Sequence, residues 1–153
     1  MKTSFEVLNT ILQGEHMAIE QYQACIDALQ DSPLRNHLTA ILSDHKKHAT
    51  RLSYYIQTNG GNVKEGTGIV GMMAEWKTRL TNLREISPNE MLERLYSGED
   101  KGLERAVQYS KQYLNSAEKE VLKPIFSEDH DHLKQLQDLR EGIYEHLHYY
   151  PNR

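Results

Sequence analysis

Four stretches of the chain repeat apolar residues at alternating intervals of four and three, the seam of a helix that packs into a bundle. The first, from about Thr3 to Leu29, places Leu8, Leu12, Glu15, Ile19, Tyr22, Ile26 and Leu29 on one face. The second carries Leu34, Leu38, Ile41, His45, His48, Leu52 and Tyr55. Ser32 is its candidate N-cap and Pro33 a suitable first residue, and "NGGN" is its glycine terminator. The third opens at "SPNEML", where Ser87 caps, Pro88 starts and Glu90 completes a capping box. Its seam reads Leu92, Tyr96, Glu99, Leu103, Ala106, Ser110 and Tyr113. The fourth follows "NSAEKE" with Leu122, Ile125, Asp129, His132, Leu136, Leu139 and Ile143; Pro124 marks either its true start or a kink.

Residues 60–87 join the second and third helices, far more than the few residues that link neighbouring antiparallel helices. "GGNVKEGTG" reads as loop, and "IVGMMAEWKTRLTNL" as a short amphipathic helix packing Met72, Trp76 and Leu80 across the bundle. Trp76 reads as a packing anchor rather than a ligand contact. The expected fold is all-α: a four-helix bundle, one domain over residues 1–153, with one long crossover carrying a short extra helix. The tail, residues 146–153, is expected to fray.

Composition narrows the function classes. The 18 basic and 22 acidic residues give a net charge of −4, so no broad attraction to nucleic acid or anionic lipid is expected. One cysteine, Cys25, at a helix flank, excludes an internal disulfide and any CxxC metal knuckle. No segment approaches the roughly 20 apolar residues of a membrane span, and the first residues lack an apolar run long enough for a signal peptide. A cytoplasmic location is expected.

The seams are broken by polar residues, and the breaks repeat. Shifted by 84 positions, the two halves align without a gap from Leu8 to Leu52. Gly14, Glu15 and Glu20 meet Gly98, Glu99 and Glu104; Ile41, Ser43, His48 and Leu52 meet Ile125, Ser127, His132 and Leu136; Asp44 meets Glu128. Glu15 lies 17 residues before Ser32 and His48 lies 16 after it, while Glu99 and His132 stand at the same separations from Ser116. At about 1.5 Å per residue all four sit roughly 24–26 Å from their turn, in one layer. His45 and Asp129 lie three residues before His48 and His132, on the same helical faces.

Glu15, His45, His48, Glu99, Asp129 and His132 are therefore expected to converge inside the bundle. Unpaired, such groups cost several kcal/mol per charge. One or two divalent cations compensate them together, and imidazole with carboxylate oxygen suits iron, manganese or zinc. The competing reading is a hydrated polar layer, or a helix rotated so that some of these side chains reach solvent. Asp44 and Glu128 lie beside the seam, where side-chain direction argues against their joining the layer. Glu20 and Glu104 belong to a solvated face, His16 with Glu20 to a surface pair, and His130, His146 and His148 to exposed or frayed positions.

With these residues in hand, the sequence resembles ferritin-like domains of the rubrerythrin type. That family takes a Glu from each of two helices and a Glu-x-x-His pair from each of the other two. "GEHMAIEQY" resembles its first-helix motif, with Glu15 as ligand and Tyr22 as the tyrosine that supports a ligand. "GEDKGLER" resembles its third, with Glu99 as ligand, and "HKKHATRL" and "DHDHLKQL" resemble the two Glu-x-x-His segments. The chain also resembles a bacterial group of ferritin-like four-helix proteins catalogued as a domain of unknown function. It departs from the family where His45 and Asp129 replace the two bridging glutamates, and where the rubredoxin-type cysteine module is absent.

The resemblance implies iron, one or two ions, and an iron-dependent oxidoreductase or ferroxidase acting with dioxygen or peroxide. It also implies a separate electron-donor protein and allows a homo-oligomer. The rival reading is a non-catalytic helical bundle, with a redox-inert zinc site or no metal, acting through protein–protein contacts.

Overall fold

The computed structural model describes residues 2–30, 32–64 and 73–142, the side chains of 73–75 excepted. The described residues form five helices: α1 (Ser4–Ala28), α2 (Leu34–Thr58), α3 (Met73–Arg79), α4 (Pro88–Tyr113) and α5 (Ser116–Glu141). The four long ones pack as a bundle, and the short α3 lies in the connection between α2 and α4. No described helix is long and apolar enough to cross a membrane.

Local chemistry fixes the helix ends. Thr3 and Glu6 form a capping box at α1, as Asn115 and Glu118 do at α5. Ser32 Oγ accepts the Leu34 N–H at 3.2 Å, so this serine caps α2 with Pro33 already in helical conformation. Ser87 Oγ accepts the Glu90 N–H at 3.1 Å, half of the box expected at α4. Gly142, left-handed at φ 73°, closes α5. Pro124 neither starts nor ends α5: the helix runs through it. Pro124 and Glu120, whose carbonyl loses a helical partner, are both exposed, where the loss of that bond costs less than it would in the core.

Two tight turns make hairpins of α1–α2 and α4–α5. The Ser4 hydroxyl donates to Glu118 Oε1 at 3.1 Å, which brings the starts of α1 and α5 together. The connection from α2 must therefore travel the length of the bundle to reach the start of α4. Asn9 holds its beginning, donating from Nδ2 to the Asn62 carbonyl at 2.9 Å and accepting the Lys64 N–H at 2.8 Å. Trp76, buried, donates from Nε1 to the Met17 carbonyl at 3.3 Å and pins α3 against α1. Leu83 is buried where Leu80 was expected and remains only half-buried; Met72 lies outside the described residues.

The apolar core is in two pieces. One gathers Ile26, Leu38, Ile41, Leu92, Leu95, Leu136 and their neighbours near the α1–α2 turn. The other gathers Leu8, Leu12, Leu52, Ile56, Leu122 and Ile125 at the far end. Most seam positions are buried as the periodicity predicts, but Ile56 rather than Tyr55, and Leu95 rather than Tyr96, carry the full burial. A straight helix drifts about 20° per heptad against a strict 3.5 repeat, which turns the next residue inward away from the centre. Ile143 and the tail lie outside the described residues.

Candidate metal centre

Between the two apolar pieces lies a polar layer. Glu15, His45, His48, Glu99, Asp129 and His132 are all buried, His132 completely. Each comes from the middle of a long helix, and each takes the inward position that its seam assigns. They form two groups whose potential ligand atoms lie within 4.8 Å of one another: Glu15, His45, His48 and Asp129; and His45, Glu99, Asp129 and His132. The groups mirror the sequence repeat, each with one glutamate and one histidine from its own hairpin. His45 and Asp129 are common to both.

His45 stands between the two glutamates. Its Nδ1 donates to Glu15 Oε2 at 2.7 Å and its Nε2 to Glu99 Oε1 at 2.6 Å. Donation from both nitrogens requires the imidazolium. Burial alone would discharge the ring, yet the two carboxylates raise its pKa well above the ordinary value. Burial likewise opposes ionisation of Glu15 and Glu99, and the facing histidines overcome it, so both carboxyls titrate below the usual range. In this state a proton on His45 does the compensating that a bridging cation does in a metal centre.

The outer nitrogens of the other two histidines point away from the layer. His132 Nε2 donates to Asp44 Oδ2 at 2.8 Å, and His48 Nε2 to Glu128 Oε1 at 2.7 Å. These carboxylates come from the opposite hairpin in each case, so the bonds cross the bundle as a symmetric pair. A carboxylate on the outer nitrogen holds the ring's orientation and leaves Nδ1 facing inward, the arrangement common behind metal-bound histidines. Side-chain direction does keep Asp44 and Glu128 out of the layer; it turns them onto the histidines behind it. The signal in the sequence was that Asp44 and Glu128 are themselves repeat partners.

The inner atoms are incompletely satisfied. His48 Nδ1 and Asp129 Oδ1, 3.6 Å apart, are buried with no hydrogen-bond partner. His132 Nδ1 reaches Glu99 Oε1 at 3.1 Å and lies 3.5 Å from Asp129 Oδ1. Burial pushes Asp129 up to about 6, opposed by the neighbouring His132 ring and helped by the Glu15 and Glu99 charges. His132 is pushed up to about 10 because the facing Asp129 and Glu99 carboxylates outweigh its burial. An imidazole nitrogen and a carboxylate oxygen that face each other without hydrogen-bond partners, within a set of imidazoles and carboxylates, fit a divalent cation.

Tyr22 supports the layer from below, donating to Glu99 Oε1 at 2.9 Å. The acceptor belongs to the other hairpin, not to Glu15 one heptad away on the same helix, which at about 10 Å along the axis is beyond a phenol's reach. Burial and the Glu99 charge raise the Tyr22 pKa well above its usual value, so it stays a donor. Glu20, Glu104 and His130 are exposed, as expected, and His16 is half-buried. His146 and His148 lie outside the described residues. Cys25 is fully buried in the apolar core rather than at a flank, and burial pushes its thiol up to about 12.

The sequence model of a family described as "Domain of unknown function (DUF2383)" matches residues 3–112. No curated protein and no solved structure matches the chain.

Proposed function

The chain belongs to the DUF2383 family, whose description assigns no function, and we propose from its own chemistry that it is a metal-binding, ferritin-like four-helix bundle. Glu15, His45, His48, Glu99, Asp129 and His132 would hold one or two transition-metal ions, with iron the first candidate and zinc or manganese the alternatives. Tyr22 would orient Glu99, and Asp44 and Glu128 the two histidines. A bound redox-active ion supplies one-electron chemistry toward dioxygen or peroxide, the work of a ferroxidase or an iron-dependent oxidoreductase. An electron-donor protein would complete such a cycle.

The observation that carries this reading is the pair of overlapping buried donor groups, in which His48 Nδ1 and Asp129 Oδ1 lack hydrogen-bond partners. A layer evolved only for packing would satisfy those atoms or replace them with apolar side chains at lower cost. Metal analysis of protein purified without a histidine tag, then anaerobic ferrous titration and exposure to oxygen, tests the proposal. Binding near one or two ions per chain, with oxidation faster than in buffer, is the expected result. Occupancy far below one ion, with a melting temperature unchanged by chelators, would favour the rival protein-contact module.

One feature favours a second reading, a redox-inert zinc site. His45 supplies imidazole where the resembled family has a bridging glutamate, and a nitrogen-rich donor set suits zinc. Zinc would then raise the melting temperature by linkage while ferrous oxidation stays at the buffer rate.

A further inference from the structure

A cavity of about 90 Å³ beside Gly14 and Gly102 opens onto the buried layer and belongs to that centre. Outside the layer, the two hairpins differ in how they distribute charge. α1 carries Glu6, Glu15, Glu20 and Asp27 and no Lys or Arg. α2 carries Arg35, Lys46, Lys47 and Arg51 against one acid, Asp44, which is bonded to His132. α4 and α5, by contrast, each mix four Lys or Arg among their acids. The repeat that matches the two halves inside the bundle therefore stops at the surface, where one hairpin sets an acidic helix beside a basic one.

The sorted charges are uncompensated. Lys46, Lys47 and Arg51 are exposed, and none has an ion-pair partner among the described residues. With Ser43, Thr50 and Tyr54 they form one outward strip of α2. Tyr54, 70 % exposed, is the one large apolar side chain that the described residues leave in solvent. Glu20 and Asp27 are exposed on α1. Glu20 has no ion-pair partner among the described residues, and Asp27 accepts only from the neutral Gln23 amide, at 3.0 Å. Both strips face solvent, so each is free to meet opposite charge on another molecule.

We infer that the occupant is a second copy of this chain, docked through its own α1–α2 hairpin about a two-fold axis, with α1 of each copy lying along α2 of the other. Such a contact makes every pairing twice, and it requires acids and cations at matching distances from the turn. They match. Glu20 lies 12 and Asp27 5 residues before Ser32, while Lys46 lies 14 and Arg51 19 after it. An axis crossing the hairpin about 12.5 residues from the turn levels Glu20 with Lys46 and Asp27 with Arg51, each to about one residue or about 1.5 Å. That axis passes near the middle of two 25-residue helices, so the hairpins overlap along most of their length. An overlap of about 30 Å across two helices, each about 10 Å wide, offers roughly 600 Å² per copy, the lower end of stable interfaces. The same register carries Tyr54 to the other copy's turn, and Tyr and Arg are side chains that interfaces favour. A nucleic acid would use the cations and gain nothing from the acids beside them.

The test is sedimentation equilibrium of the full chain at about 20 mM and about 0.5 M salt, the latter screening exposed ion pairs. A dimer is expected, with a dissociation constant about fivefold or more higher in the stronger salt. Lys46→Glu with Arg51→Glu, and Glu20→Lys with Asp27→Lys, should each weaken it about tenfold or more. Mixing these two variants in equal amounts should restore the dimer, because each reversed helix then meets its complement; the rescue also shows that both are folded. Tyr54→Ser should weaken the unaltered pairing about tenfold. A chain still monomeric at about 1 mM in low salt, a dimer indifferent to both reversals, or a mixture that fails to restore it overturns the inference. Growth beyond two copies overturns it as well, since only a head-to-tail contact stays open. A monomer that binds a DNA oligonucleotide or polyglutamate through Lys46 and Arg51 would overturn it in favour of that acidic partner.

Discussion

Asp129→Asn should make the metal-free protein more stable while weakening its hold on metal. The Asp129 carboxyl titrates at about 6 in the folded chain against an ordinary 3.8. A folded pKa above the unfolded one means that the neutral form is favoured, so ionised Asp129 destabilises the fold at every pH above about 6. At about 1.4 kcal/mol per pH unit the difference amounts to about 3 kcal/mol near pH 8, and about half of that remains at pH 5. An amide cannot ionise and differs from the acid by little in size. For a chain of this length 1 kcal/mol moves the melting temperature about 2–4 °C, so a rise of about 6–12 °C is expected at pH 8. The assay is thermal unfolding in chelator at pH 8 and pH 5, repeated with zinc or cobalt. In metal the sign should reverse, because Asp129 is common to both donor groups. A variant less stable than wild type by the same amount at both pH values would refute the reasoning, since Asp129 would then be an ordinary structural acceptor.

Two further outcomes follow from the same layer. His132 titrates near 10 when folded against an ordinary 6.5; its stabilising contribution is whole below about 6.5 and lost as pH rises through 10. The metal-free melting temperature should therefore fall over that range, while the increment produced by zinc grows as protons cease to compete; calorimetry showing a pH-independent increment would contradict this. Asp44→Ala and Glu128→Ala should each weaken metal binding about 10–100-fold by releasing a histidine ring. Both carboxylates are partly exposed, at 32 % and 46 %, so unfolding free energies should change little; equal metal affinity across the three proteins would remove their assigned role.

The departures from the periodic pattern share one cause. Tyr55 and Tyr96 sit on the seam by strict spacing, yet Ile56 and Leu95 hold the interior. A real helix drifts away from a strict heptad, and a phenol hydroxyl that finds no buried partner is better left near water. The same logic explains Tyr22, which is buried because Glu99 accepts its hydrogen bond. Asn9 and Gln21 escaped the reading altogether. Their buried amides bond backbone from distant segments, at Asn62 and Arg94, and nothing in the local pattern reveals such partners.

Helix positions, caps and the height of the six polar residues within their own hairpins were determined by the sequence itself, because periodicity, capping chemistry and rise per residue are local quantities. Counting residues from the turn places Glu15 level with His48, and Glu99 level with His132. That the two pairs share one layer also depends on how the hairpins meet, since their turns lie at opposite ends of the bundle. What only the tertiary structure decided is everything that crosses between hairpins: His45 held between Glu15 and Glu99, Asp44 and Glu128 exchanged onto each other's histidines, and a cavity that opens beside Gly14 and Gly102. These depend on the rotation of one hairpin against the other. That rotation is set by how two separate apolar clusters pack, a sum over many weak contacts that no single stretch of sequence contains.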